Sequence, residues 1–190
     1  MTQLGSYRGI VRDALAHANS GDRPDPTQVF WRANLPRQGL DDIAAAATGV
    51  LLSTPLWLNS GDLVSNLTFI SAGTAAVTPT NCFVALYSTA ATPALLAQSA
   101  DQLTAAWAAD TAKTIALATA YRVPTSGLYW AAISITAATV PTLIGAHCAK
   151  PVLTGEGNLA QTSGSALTGT APATIATPAF KRQAPLVIAT

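Results

Sequence analysis

Leu128-Tyr129-Trp130-Ala131-Ala132-Ile133-Ser134-Ile135 is the longest run in the chain with a strand pattern. Tyr129, Ile133 and Ile135 fall on one side of a two-residue period, and Leu128 and Trp130 on the other. An extended chain throws successive side chains to opposite faces, so this run reads as a strand. Cys82 to Ser88 repeats the pattern, with Phe83, Ala85 and Tyr87 opposite Cys82, Val84 and Leu86. Leu63 to Ser71 places Leu63, Leu67 and Phe69 against Asn66 and Thr68. Shorter runs follow the same composition: Val50-Leu51-Leu52, Pro55-Leu56-Trp57-Leu58, Leu95 to Ser99, Thr114 to Leu117, Leu143 to Ala146 and Pro185 to Ile188, with Tyr121 to Pro124 as an edge segment. Asn59-Ser60-Gly61-Asp62, Ser71 to Thr74, Thr78 to Asn81 and Ser126-Gly127 are turns between them. Short strands rich in Val, Ile, Thr and aromatics, with turns every 8–12 residues or so, predict a mostly β protein whose body is an antiparallel β-sandwich, jelly-roll-like in kind.

Composition narrows the class. Of 190 residues, 49% are hydrophobic and only 10% charged, against about 25% charged in an average domain. Alanine and threonine supply about a third of the chain. Such a chain can bury a core, so global disorder is excluded. The net charge of +1 provides no basic field for nucleic acid. The longest apolar run, Ile43 to Leu52, is interrupted by Thr48 and Gly49 and falls short of the roughly 18 residues of a membrane span. Met1 to Ser6 carry neither a basic nor an apolar leader region, so no secretory signal is expected. Subunit contacts are the expected use of the surplus apolar surface.

Charge is unevenly spread. Ten charged side chains lie in residues 1–42 and nine in the rest of the chain. The predicted division is an arm over 1–42, a β-sandwich body over 43–153, and a Gly/Ser/Thr-rich loop with a final strand over 154–190. In the arm, Leu4, Tyr7, Val11, Leu15 and Ala18 follow helical spacing and form one stripe, which Ser20-Gly21-Asp22 ends. A helix of about four turns is marginal alone and needs a surface to pack on. Arg23-Pro24-Asp25-Pro26 then forces extended backbone, and Gln28 to Arg32 is a bulky aromatic patch. The arm either folds back on its own body or reaches a neighbour; the neighbour is the expectation here. Its anchors are Tyr7, Val11, Leu15, Phe30 and Trp31. Asp41-Asp42 reads as a helix or turn start, Asp101 to Ala112 as a loop or single helical turn, and Thr154 to Thr177 as a long surface loop.

Residues suited to catalysis are sparse. His17 lies on the predicted helix with no carboxylate at metal-ligand spacing. His147 adjoins Cys148, and one His with one Cys does not make a zinc site. Cys82 and Cys148 read as small buried hydrophobes, and spacing alone does not establish a disulfide. A Cys82–His147 nucleophile would need an orienting Asp101 or Asp110, which nothing in the sequence brings together. The body carboxylates Asp62, Asp101, Asp110 and Glu156 read as turn and cap residues. No enzyme activity, metal or cofactor is expected. Among the tryptophans, Trp130 reads as core, whereas Trp31 and Trp107 are the exposure candidates. Trp107 is the candidate platform for stacking on a sugar ring.

Several segments together resemble a known domain: Leu35-Pro36-Arg37, Ala47-Thr48-Gly49, Gly61-Asp62-Leu63-Val64, Leu67-Thr68-Phe69, Phe83 to Tyr87, Leu95 to Asp101, Ala106 to Ala109 and Ser126 to Trp130. The chain over residues 35–150 or so resembles β-sandwich virion proteins of tailed phages that infect actinobacteria, usually labelled minor tail proteins or virion structural proteins. The resemblance implies a location in the virion and a structural or host-recognition role, and it carries no catalytic residues. The expected function is therefore a non-enzymatic structural protein, foremost a minor tail protein. A capsid decoration protein that cements the head and a carbohydrate-binding module are the alternatives. Expected partners are other virion proteins of the tail or the major capsid protein, further copies of the chain with a trimer first, and a host-surface polysaccharide. Neither nucleic acid nor membrane insertion is expected.

Overall fold

The structure, a computed structural model, describes residues 32–190. The predicted N-terminal helix lies outside the described residues, as do Tyr7, Val11, Leu15, Phe30 and Trp31. The described residues form thirteen strands and no helix. All pairings are antiparallel.

The largest sheet has six strands, in the order β11 (Ala179–Phe180), β10 (Gln161–Ser163), β3 (Leu51–Leu58), β8 (Gly127–Thr139), β5 (Val77–Tyr87) and β6 (Leu95–Gln98). A four-stranded sheet runs β1 (Arg32–Ala33), β13 (Val187–Ala189), β4 (Leu63–Ile70) and β7 (Ala112–Arg122). A three-stranded sheet runs β12 (Gln183–Pro185), β9 (Leu143–His147) and β2 (Asp41–Ile43). Residues 32–42 thus contribute β1 and β2, and residues 154–190 contribute β10 to β13. The final strand pairs with β4 of its own chain, Ile188 opposite Thr68.

The central strands β3, β5 and β8 are buried on both faces. On one face, Leu52, Leu56, Val84, Leu86, Ala131 and Ile133 join Leu67 and Phe69 of β4, Ile115 of β7 and Val187 of β13 in the main core. On the other, Leu51, Phe83, Ala85, Tyr87 and Ala132 meet Ala171 and Ile175 in a second cluster. The cover of that second face is the segment expected to be a long surface loop. Its side chains are small, but its backbone is tied down. The Leu167 amide donates to Gly49, Ile175 to Pro93, and Ala171 to the Gln98 side chain. The Tyr87 hydroxyl donates to the Pro172 carbonyl at 2.9 Å. Unpaired peptide groups against an apolar sheet are costly, so these bonds accompany the burial.

Two further expectations are corrected. Asp41 and Asp42 open β2 instead of a helix or turn, pairing with Gly145 and Ile144. Both aspartates are exposed, the Asp42 carboxylate accepting from the Gly73 amide at 3.0 Å, while Ile43 enters the core. In β4 the buried hydrophobic residues are Val64, Leu67 and Phe69, while Leu63 is exposed. A register shift between Val64 and Asn66 reverses the alternation, so Leu63 does not share the face of Leu67. At Gly145 β9 approaches β12 closely: a Cβ there would strike the Ala184 carbonyl.

Candidate functional site

The polar residues considered for chemistry hold the scaffold. Asp101 accepts hydrogen bonds from the Asn81 side chain, from the Cys82 amide at 2.8 Å and from the Leu103 amide at 3.0 Å. Burial pushes its carboxyl up, and these donors outweigh that effect and leave it below the ordinary carboxylate range. A Cβ at Gly169 would collide with this carboxylate, so the covering segment must be glycine there. Cys82 and Cys148 are both free thiols. Burial raises Cys82 to about 11, so it stays protonated at neutral pH. Cys82 belongs to the six-stranded sheet and His147 to the end of β9, in a different sheet. Among the described residues, no group of three or more His, Cys, Asp and Glu could hold a metal ion.

Trp107 does not offer an open ring. It is 4% exposed and packed in the main core, and its indole donates to the Thr111 carbonyl at 3.0 Å. The Lys113 ammonium lies 5.5 Å from the ring centroid. In a loop without regular backbone pairing, a buried Trp is what anchors it, and so the expected exposure fails here.

Among the described residues the exposed aromatic is Trp57 instead, at 54%. It faces away from the main core, as the alternation of Pro55-Leu56-Trp57-Leu58 already implies: Leu56 and Leu58 point inward. Leu128, directly opposite on β8, is 52% exposed. The next rung pairs Pro55 with Trp130, which is half-buried and packs on the second cluster. Trp57 and Leu128 therefore continue the outer apolar face past the end of the covering segment.

This rung lies at one end of the body, where the chain crosses twice between sheets. Asn59 to Asp62 links β3 to β4, and Val123 to Ser126 links β7 to β8. The crossings are laced together: Gly61 donates to Val123, Val123 to Asp62, and the Ser60 amide to the Ser126 hydroxyl, each at 2.8 Å. The Trp57 indole donates to Asn59 at 3.0 Å, the Asn59 amide to Asp62 at 2.8 Å, and Arg32 pairs with Asp62 at 3.2 Å. Arg32, the first described residue, is thus linked to Trp57 through Asp62 and Asn59.

A second concavity, a groove of about 550 Å³, is bordered by Thr162, Ser163, Ser165, Thr177 and Lys181. The Ser163 hydroxyl is sealed from solvent and has no hydrogen-bond partner, so it is not presented to a ligand. Neither a family model nor a curated protein matches the chain.

Proposed function

We propose that this chain is a non-enzymatic structural protein of a tailed-phage virion, foremost a minor tail protein, that works by packing against copies of itself and other virion proteins. The proposal includes a jelly-roll-like β-sandwich for the body. Two features support that architecture. The six-stranded sheet pairs strands distant in sequence, β3 and β5 both lying beside β8, as crossing connections produce. Its main-core face also shares a cluster with side chains of the four-stranded sheet.

The observation that carries the functional reading is how the resembling segments are used. Leu67, Phe69, Phe83, Leu86, Trp107 and Tyr129 are all buried framework, so the resemblance is to a scaffold. The bare Trp57–Leu128 rung on a charge-poor body adds an apolar contact surface. The arm anchors Tyr7, Val11, Leu15, Phe30 and Trp31 belong to the proposal as the complementary surface, with a trimer as its first assembly.

Gold-labelled antibody against the body, applied to purified particles, tests this. Label on the tail is the expected result. Label on the head would replace the tail assignment with shell decoration. Particles without label would overturn the virion reading.

A further inference from the structure

We propose that the Trp57–Leu128 rung is the seat of the N-terminal arm, residues 1–31, of a second copy of this chain. The inference rests on the assembly reading above, because it takes the partner to be another copy. Three observations lead to it. First, the outer face of the six-stranded sheet is covered by the chain's own Ala171 and Ile175, and that cover stops before its last rung. Second, Arg32, the first described residue, is linked to the rung through Asp62 and Asn59. Third, the arm carries an apolar stripe, Leu4, Tyr7, Val11 and Leu15, that requires a packing surface.

Reach decides between the chain's own rung and a neighbour's. Arg23-Pro24-Asp25-Pro26 enforces extended backbone ahead of Trp31. The ten residues from Asp22 to Trp31, at about 3.3 Å each, reach at most about 33 Å. The chain's own rung is only three contacts from Arg32, a shorter path than a connector with two closely spaced prolines favours. The same span suits a neighbouring body, and reciprocal exchange of arms closes the assembly. Charge is compatible as well. Residues 1–31 carry three arginines and three aspartates, which lie off the stripe.

The test uses full-length protein with Cys148→Ser as background. One preparation carries Val11→Cys and a differently tagged one carries Leu128→Cys. After mixing, equilibration and mild oxidation, a disulfide-linked heterodimer is expected, and Trp57→Ser in the Leu128→Cys partner should reduce its yield at least tenfold. A chain carrying both cysteines that closes on itself while the mixture yields no heterodimer would overturn the exchange in favour of the chain's own rung. Absence of either product would overturn the seat itself. Sedimentation of Trp57→Ser/Leu128→Ser supplies a second readout: association should weaken at least tenfold with an unchanged urea midpoint, and wild-type association would count against the proposal. These experiments use purified protein, so their failure is separable from a failure of particle labelling.

Discussion

Ile175→Ala tests whether the segment covering the outer face is integral to the body. Ile175 is fully buried against Phe83, Tyr87 and Ala132. The substitution deletes every carbon beyond Cβ. At about 0.8 kcal/mol per methylene-sized group, transfer alone costs about 2.5 kcal/mol. An unrelaxed cavity adds to that, so the expected loss is about 3 kcal/mol, within the range of about 2–5 kcal/mol for such truncations. With a urea slope of about 2 kcal/mol per molar, the midpoint should fall by about 1.5 M. Tryptophan fluorescence is a suitable probe, since Trp130 packs on the same cluster. Val152→Ala is the control: Val152 is 87% exposed, and its truncation should stay within about 0.5 kcal/mol. If the two substitutions shift the midpoint equally, Ile175 is not part of a core, and the segment is the surface loop its composition suggests.

Other consequences follow from single contacts. Gly145→Ala should lower the melting temperature sharply, because the obstruction is the Ala184 carbonyl of the neighbouring strand and cannot rotate away; a melting curve like wild type would show that β9 and β12 are not so close. Asp101 has a folded-state value below its ordinary 3.8, so its contribution is complete above that pH and disappears as the pH falls through the lowered value. Urea midpoints should accordingly drop more on acidification for wild type than for Asp101→Asn, and parallel profiles would refute the role given to its three donors. Thiol titration of the native protein with an aromatic disulfide should modify Cys148 first and Cys82 only on unfolding, since Cys82 is buried and raised to about 11; equal rates would contradict the burial.

The main strands were readable because their signal is local. Alternation in Leu128 to Ile135 and Cys82 to Ser88 is a property of the extended backbone, and the faces assigned there agree with the two core clusters. The turn at Asn59 to Asp62 was equally legible, since its Asn, Gly and Asp favour reversal. Trp57 was missed as the exposed aromatic although its position opposite Leu56 and Leu58 carried the information.

By itself, then, the sequence determined the mostly β class, the phase of the central strands and the scarcity of charge, because these depend on residue type and two-residue periodicity. The tertiary structure alone decided which small side chains became core. Ala132, Ala171 and Ile175 are buried because a Gly/Ser/Thr-rich segment lies across the outer face, and its composition does not announce a contact so distant in sequence. It also decided that Trp107 anchors a loop and that Leu63 turns outward at a register shift. Each of these depends on contact or pairing with a segment distant in sequence, a non-local fact that no window of sequence contains.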